Sequence, residues 1–554
     1  MADDGGSSSA GSTSVATSAE GSSGRVDEEG SPADSSSSTA AIVPDVGGVA
    51  PIMWHIESPA DSARTWLVSP TGERVFWLGV NTVMRDKSCD GILDWIRRTD
   101  STTAAHVEWA RLSTGASGDE RNDAPYCFNS VGGFSETNDF DDQGGDSWMI
   151  RAVEDGGAGA PYGVVLNVDA AGDDRALRDE QGVVLRGGFA EARIGDPFNP
   201  AFATDLQARV LEDVAPRVGD PRLQMWFLGN EIGLFDRAVD DGPGVRDLRR
   251  WIWSQCPDGS TIDAPQCAPH ALASWLRDRY ADVAAMNTAW ESSYASFDVG
   301  AEAKPVPYAH DCNLACREDL QRFVHDVLAK RWVELVTTTV RATDPDHLLT
   351  SPRMAVATSA TYRFWTPDGD VWAEAPDVAL PHDGDVVYSP FDLFARDGDA
   401  GFDLIAINIY DGAPTFAEPW LGTGLARMHE QSGLPIIVSE FSVRARIDGW
   451  TNRGGAGSFV PDDDETDDQI QRGAYYRSQI EQLASYPYVL GASWHAWSDR
   501  FLAADPAHQI DMGLLQCQDP PRGFEAGARW GEIDDRIADT NCTIMDRIAE
   551  LTGL

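Results

Sequence analysis

Two short apolar runs that end in a glutamate constrain this chain more than any other feature. The first is Met225–Glu231, in which Met-Trp-Phe-Leu-Gly leads directly into Asn230 and Glu231. The second is Leu434–Ser442, in which Leu-Pro-Ile-Ile-Val-Ser leads into Glu440. Parallel strands that are buried on both faces read as continuous hydrophobic runs. We therefore predict that both runs are parallel strands with a carboxylate at the C-terminal tip, where the active sites of (β/α)8 barrels lie.

Further runs of this kind bring the set to eight. The predicted strands lie within residues 66–81, 128–135, 163–168, 225–231, 347–353, 403–410, 434–442 and 489–497. The first of these stretches is predicted to be a hairpin that leads into its strand. Helices are predicted from Asp196 to Val214, near Ala271–Ala289 and from Glu318 to Arg341. An insertion of about 80 residues follows the fourth strand, a length that is usually functional. Strands that alternate with helices or loops predict an α/β fold, a (β/α)8 TIM barrel.

The first 48 residues differ in composition from the rest of the chain. They are Ser, Gly, Ala and acidic residues with almost no large apolar side chain, so residues 1–48 are predicted to be a disordered tether and residues 49–554 the barrel domain. No signal-peptide core or transmembrane run is visible. We expect an exported protein, extracellular or on the cell surface, whose leader is absent from this chain. Membrane tethering is expected only through a lipid anchor lost from the N-terminus.

The formal net charge of −46 limits the partners of this protein. Nucleic acid, anionic membrane surfaces and heavily sulfated polysaccharides would be repelled. The even number of cysteines, 8, suits disulfides in an oxidising compartment. Sequence cannot choose the pairing, but Cys256 and Cys267 bracket a loop rich in Pro, Gly and Asp and form the favoured pair. Cys312 and Cys316 lack further ligands at zinc-site spacing, so neither a metal nor another cofactor is predicted.

Most of the predicted strands end in polar or aromatic residues. These strand-end residues are Asn81, Asn129, Asn167, Asn230, Glu231, Arg353, Asn408, Tyr410, Glu440, Trp494 and His495. Side chains at the C-terminal ends of barrel strands converge on one cavity. A structural reading remains open, since strand-end carboxylates also form salt bridges and large aromatics also plug barrel mouths. Two glutamates among amides and aromatics favour an active site, with Glu231 and Glu440 as its catalytic pair.

Two carboxyl groups about 5 Å apart carry out glycoside hydrolysis with retention of configuration. Asn230 is placed to hold a sugar 2-hydroxyl, and Tyr410 to donate its phenol to Glu440. Trp494 is expected to form a stacking floor for one sugar ring. Other strand-end side chains are predicted to bind substrate as well: Asn81, Asn129, Arg353, Asn408 and His495.

Several of these motifs carry a family resemblance. Gly229-Asn230-Glu231 together with Ser439-Glu440-Phe441 resembles the arrangement of clan A glycoside hydrolases. With Phe76–Asn81, Ala289–Phe297 and Ile407–Tyr410, the chain resembles the β-agarases of glycoside hydrolase family 50 from about residue 66 to 515.

That resemblance implies cleavage, with retention and without a metal cofactor, of β-1,4 bonds between galactose and 3,6-anhydrogalactose. It also implies that Glu231 is the acid/base and Glu440 the nucleophile. The chain departs from the family in lacking an obvious sandwich-like module before the barrel, and in the sequence Ser493–Trp497. A β-galactosidase, mannanase or glucanase of the same clan, or an inactive carbohydrate-binding barrel, remains an alternative.

Overall fold

The computed structural model describes most of the chain after Pro51. The described residues are 53–59, 63–83, 113, 126–133, 135, 160–178, 184, 193–230, 253–299, 313–356, 363–366, 369–372, 390–410, 419–446, 459–460, 467–501, 509–510, 512–516 and 530–552. The predicted tether over residues 1–48 lies outside them, and so does Glu231.

Eight parallel strands form the centre of the fold. They are β1 Trp77–Val80, β2 Ser130–Val131, β3 Tyr162–Leu166, β4 Leu223–Leu228, β5 Leu348–Thr350, β6 Ile405–Ile409, β7 Ile436–Phe441 and β8 Val489–Trp494. Their order in the sheet is β5-β4-β3-β2-β1-β8-β7-β6. The two edges meet where Thr350 bridges Leu404 and where Met354–Val356, just after β5, pairs in parallel with β6. The predicted (β/α)8 barrel is therefore confirmed, and each predicted run overlaps one barrel strand, although β3 and β4 begin one and two residues before their runs.

Alternation along each strand divides the apolar side chains between two cores. One fills the barrel and includes Trp77, Val165, Met225, Phe227, Leu348, Leu404, Ala406, Ile437 and Leu490. The other lies between the strands and the surrounding helices. All six residues of β4 are buried, which is why this strand reads as an unbroken apolar run. This packing leaves the ends of the strands as the places where polar side chains can collect.

Eight α-helices are described, seven of them between barrel strands in chain order and one after the last strand. They are α1 Pro200–Asp213, α2 Ala268–Arg279, α3 Val283–Trp290, α4 Leu314–Phe323, α5 Lys330–Thr343, α6 Pro419–Ser432, α7 Asp468–Ser485 and α8 Gly531–Thr552. Asn199 caps α1 by accepting a hydrogen bond from the backbone of Ala201, and proline follows as the first helical residue. The helix predicted from Asp196 to Val214 is thus confirmed, although it begins at Pro200.

Two predicted helices differ in detail from the observed ones. The helix predicted near Ala271–Ala289 is divided into α2 and α3, because Tyr280 is extended and Asp282 begins a new helix as its N-cap. The helix predicted over Glu318–Arg341 is part of a longer helical stretch. There α4 and α5 are joined by a π-helical segment, Val324–Ala329.

Short strands and disulfides complete the described structure. A three-stranded antiparallel sheet is formed by His55–Glu57, Trp66–Val68 and Arg74–Val75, which confirms the predicted hairpin. Three two-stranded sheets pair 177–178 with 253–254, 363–366 with 369–372, and 500–501 with 509–510.

The disulfide predicted between Cys256 and Cys267 is confirmed. A second joins Cys127, just before β2, to Cys542 in α8. Cys316 is disulfide-bonded as well, which rules it out as a metal ligand. Among the described residues, no helix has the length and apolar character needed to cross a membrane.

Candidate active site

The carboxyl ends of six barrel strands bring seven of the predicted site residues together. Asn81 follows β1, Asn230 follows β4, and Arg353 lies just after β5. Asn408 lies in β6 with Tyr410 just beyond it, Glu440 lies in β7, and His495 follows β8. Hydrogen bonds and ion pairs connect six of them to Glu440 or to its neighbour Ser439, directly or through Asn408.

Glu440 is the centre of this group. This residue is only 3% exposed to solvent. Nη2 of Arg353 lies 2.6 Å from Oε1 of Glu440, and the hydroxyl of Tyr410 donates a hydrogen bond to Oε2. Nδ1 of His495 lies 4.0 Å from the same Oε2. Both carboxylate oxygens therefore face donors or positive charge.

These neighbours determine the ionisation of Glu440. Burial alone would raise the pKa of its carboxyl group, because the charged form loses its hydration. The charges of Arg353 and His495 and the hydrogen bonds from Tyr410 and Arg353 act in the other direction and outweigh it. The pKa of Glu440 is therefore held below its ordinary value. At neutral pH this buried group is a carboxylate.

Two amides of the group bind each other. Nδ2 of Asn408 donates to Oδ1 of Asn230 at 3.3 Å. Because Oδ1 of Asn230 accepts this bond, its Nδ2 remains as a donor for another group. That buried atom has no hydrogen-bond partner among the described residues. A buried donor without a partner is costly unless a ligand or water satisfies it. Asn230 is thus placed to donate to a bound molecule.

Asn81 is bound on both sides by protein. Its Nδ2 donates to the main-chain oxygen of Ser439 at 2.8 Å, and its Oδ1 accepts from the hydroxyl of Ser493 at 3.0 Å. Its exposure is 0%. The side chain lies in the site, but both of its polar atoms are hydrogen-bonded to protein groups, the backbone of Ser439 and the hydroxyl of Ser493.

The structure corrects the role predicted for Trp494. Successive residues of a strand point to opposite faces, and Ser493 faces the interior while Trp494 faces the helices. Its indole packs edge-on against Phe441 and against Tyr476 of α7, and its Nε1 donates to the main-chain oxygen of Met512. With 0% exposure, this ring offers no face for a sugar.

Asn129 is also placed differently from the prediction. It precedes β2 and so lies at the amino end of that strand, away from the site. Its Nδ2 donates to the oxygen of Phe76 and its Oδ1 accepts from the backbone of Leu78, both at 2.8 Å. The run predicted over 128–135 forms a strand only at Ser130–Val131, so Asn129 does not lie at the carboxyl end of a strand. Its amide ties the second strand to the first.

Glu231, the second predicted catalytic residue, lies outside the described residues, so its role stays a prediction. Sequence reasoning missed two residues that the structure adds, the serines Ser439 and Ser493. Both are small hydroxyl residues inside otherwise apolar strands next to a predicted site residue, and that signal could have identified them. A third addition is Phe227, whose ring lies under the guanidinium of Arg353 at 5.3 Å.

One group of potential metal ligands occurs in the part of the chain that the structure describes. It consists of Cys256, Cys267 and His270. The two sulfur atoms are joined in a disulfide, so they are not thiolate ligands. His270 instead contacts the hydroxyl of Ser260 through Nδ1 at 2.6 Å.

A (β/α)8 barrel with an ionised glutamate at the tip of β7 is an arrangement that the barrel glycoside hydrolases share. No protein-family profile matches the chain. Among curated proteins it is similar to β-agarase A of Vibrio sp. strain JT0107, with 22% identity over 360 residues. The match covers 64% of this chain and 31% of the relative, so the chain spans about a third of that protein's length.

Comparison with solved structures also finds agarases. The crystal structure of an agarase superposes with a TM-score of 0.55 at 18% identity, over 90% of this chain and 65% of the other. An exo-β-agarase superposes with a TM-score of 0.54 at 15% identity, over 90% of this chain and 66% of the other. The resemblance to the β-agarases of glycoside hydrolase family 50 is confirmed.

Proposed function

We propose that this protein is a retaining glycoside hydrolase that cleaves a β-linked, largely neutral polysaccharide by double displacement. Glu440 is the nucleophile and Glu231 the acid/base. The observation that carries the proposal is the environment of Glu440, a buried carboxylate kept ionised by Arg353, Tyr410 and His495. A nucleophilic carboxylate needs donors of this kind to stay charged in a site from which water is excluded.

The two steps assign a task to each group. In the first, Oε of Glu440 attacks the anomeric carbon while Glu231 gives its proton to the leaving glycosidic oxygen. In the second, Glu231 takes a proton from water, which attacks the same carbon and releases Glu440 as a carboxylate. Asn230 donates its Nδ2 hydrogen to the sugar 2-hydroxyl, a bond that strengthens as charge develops at the anomeric carbon.

The substrate we propose is an agarose-type galactan. Support comes from the similarity to β-agarase A and from the agarase structures that share the fold. The net charge of −46 favours a neutral polymer over a sulfated one. A β-galactosidase, mannanase or glucanase specificity is the second candidate, because the clan-wide features of the site do not choose between neutral sugars.

We place this activity outside the cell. All five described cysteines support an oxidising compartment, since each of them is disulfide-bonded: Cys127, Cys256, Cys267, Cys316 and Cys542. The partner is then an oligo- or polysaccharide in the surroundings of the cell.

Product analysis on a panel of polysaccharides tests the proposal. The full chain is incubated with agarose, β-galactan, mannan and β-glucan, and the anomeric configuration of the first product is read by NMR. We expect reducing ends from agarose, with the β-configuration kept. Release of reducing ends from another polymer would show that the substrate is different from the one proposed, while the proposed reaction class would stand. An inverted product, or no turnover of any glycoside, would contradict the mechanism.

A further inference from the structure

Between Val438 and Phe441, the strand that carries Glu440 contains one residue more than the matching segment of each neighbouring strand. On the side of β6, Val438 pairs with Ile407 and Glu440 with Asn408, so two steps along β7 match one along β6. On the side of β8, Val438 pairs with Ala492 and Phe441 with Trp494, so three steps match two. Both registers place the extra residue between Val438 and Phe441. This is a β-bulge, a device that re-aims side chains.

The bulge decides which way Glu440 points. Without it, alternation from the inward Ile437 would turn Ser439 inward and Glu440 outward, toward the helices. In the structure Val438 and Phe441 both belong to the outer core, although three positions separate them. Glu440 instead shares the inner face with Asn408, its partner in β6. Its catalytic orientation therefore depends on the extra residue.

Ser439 is bound at both of its polar groups. Its hydroxyl lies 3.0 Å from the main-chain oxygen of Ile407 and 2.7 Å from Oδ1 of Asn408, and it can donate its hydrogen to either. Its main-chain oxygen accepts from Nδ2 of Asn81 at 2.8 Å and from Nη2 of Arg353 at 2.9 Å. The residue is 1% exposed, so it touches no substrate.

The hydroxyl of Ser439 also sets the orientation of Asn230. When it donates to Oδ1 of Asn408, the Asn408 amide must turn its Nδ2 toward Asn230. Oδ1 of Asn230 accepts that hydrogen, which leaves Nδ2 of Asn230 free for a ligand. A reversed Asn408 amide would place its Oδ1 against Oδ1 of Asn230, so that two acceptors face each other with no hydrogen between them, at a cost in buried surroundings.

We propose that Ser439 is the positioning residue of this site, whose bulge turns the Glu440 carboxylate inward and whose hydroxyl fixes the amide of Asn230 through Asn408. Asn81 supports the bulge and makes no contact with substrate. Its position at a strand end had led to the prediction that it binds substrate. The inference rests on the proposed function for its catalytic meaning. Its geometric content concerns the positions of Ser439, Glu440, Asn408 and Asn230 and can be tested without any activity.

Replacing Ser439 by alanine in the full chain tests the proposal. The Ser439→Ala variant keeps the main-chain oxygen and loses the hydroxyl that orients Asn408. We expect kcat/KM on the best polysaccharide to fall about 10- to 100-fold, since a displacement near 1 Å can cost this much. The acid limb of the pH profile should also move, because Glu440 is held less firmly against its donors. A purely structural role for Ser439 would lower stability and leave that limb in place.

Ser442→Ala is the matched control. Ser442 directly follows β7, has 0% exposure, and its hydroxyl has no hydrogen-bond partner among the described residues. This variant should keep kcat, KM and the pH profile of the parent. If Ser439→Ala behaves like Ser442→Ala in an active enzyme, the inference is overturned while the proposed function stands.

Two further measurements keep the proposal testable. If Ser439→Ala does not fold, Asn408→Ala can be used in its place. It removes the second residue of the Ser439–Asn408–Asn230 hydrogen-bond chain and should give a similar loss of kcat/KM. Crystal structures of the parent and Ser439→Ala give a readout that needs no activity. Unchanged positions of the Glu440 carboxylate and the Asn230 amide would refute the inference even for a protein that cleaves no glycoside. Displacement of either group would support it.

Discussion

Arg353 and Glu440 form an ion pair in which both side chains are almost completely buried. Nη2 and Oε1 are 2.6 Å apart, and the side chains are 0% and 4% exposed. Removing two charges from water is costly, and such a pair persists where further hydrogen bonds satisfy it. Here the same Nη2 also donates to the main-chain oxygen of Ser439, and Tyr410 satisfies the other carboxylate oxygen. The pair holds the carboxylate of Glu440, the proposed nucleophile, both charged and oriented.

The Tyr410→Phe variant should shift the acid limb of the kcat/KM profile to higher pH. Tyr410 stabilises the charged form of Glu440, so its loss raises the pKa of that carboxyl group. The folded pKa is depressed in the parent, so ionised Glu440 is lost only as pH falls through that low value. A pH–rate profile of both proteins measures the shift. Tyr488→Phe, away from the site, should leave the limb unmoved, and an unmoved limb in Tyr410→Phe would argue against this contact.

Glu440→Ala should lower turnover by several orders of magnitude, because no glycosyl-enzyme can form. Azide can enter the vacated space and attack the anomeric carbon of an activated aryl β-glycoside. The expected product is a glycosyl azide of inverted configuration, identified by NMR. A product of retained configuration from this variant would assign the acid/base role to Glu440.

Glu231→Ala should behave in the opposite way. An aryl glycoside with a good leaving group needs little acid help, so the covalent intermediate on Glu440 still forms. Its breakdown lacks a base for water, but azide needs no deprotonation. We expect a glycosyl azide of retained configuration. Full activity of this variant on the polysaccharide would remove Glu231 from the mechanism.

His347 should stabilise the fold most strongly at mildly acidic pH. Its ring is completely buried, with Nδ1 2.7 Å from Oδ2 of Asp344 and Nε2 2.8 Å from the main-chain oxygen of Asp220. Burial lowers the pKa of His347, but the hydrogen bond and charge of Asp344 outweigh it, so the folded pKa is raised. A raised pKa contributes stability that is complete below the unfolded value, about 6.5, and is lost as pH rises through the folded value.

The His347→Gln variant tests this dependence. We expect it to lose roughly 3–5 kcal/mol near pH 6, because Asp344 is left buried without a partner charge. The loss should shrink toward pH 9, as measured by chemical denaturation at both pH values. His55→Gln removes a half-exposed partner of Glu57 and should change little at either pH. An equal loss for His347→Gln at both pH values would contradict the raised pKa.

The two described disulfides should differ in their effect on stability. Cys127 and Cys542 are separated by 415 residues, Cys256 and Cys267 by 11. In the chain-entropy description, the long closure stabilises about twice as much as the short one. The double variant Cys127→Ser/Cys542→Ser should therefore melt at a lower temperature than Cys256→Ser/Cys267→Ser. The reverse order would show that native packing around the short loop dominates.

The barrel could be predicted because its signals are local. A strand buried on both faces must be apolar along its whole length, as β4 is, and such a run is visible without knowing what it packs against. The cap of α1 and the turn in the N-terminal hairpin are equally local, since neighbouring residues provide the donors and acceptors. The same is true of the Cys256–Cys267 pair, which closes a short loop.

The sequence predicted the site only in part. The predictions that were wrong or missing share one cause, because they depend on contacts between distant parts of the chain. Trp494 stands beside a strand end like His495, but it points toward the helices. Asn129 was assigned to the wrong end of its strand, because the strand that forms begins after it. The partnership of Cys127 with Cys542 joins distant parts of the chain and leaves no local trace.

The sequence by itself determined where the strands lie and that Glu440 stands at the tip of one of them, because continuous apolar runs and the residue that ends them are properties of neighbouring positions. Only the tertiary structure decided which face each tip residue presents. That depends on pairing between strands far apart in the chain, and at β7 it depends on one unpaired residue, Ser439. A shift of one position exchanges the two faces of a strand. The inward carboxylate of Glu440 is a consequence of that register.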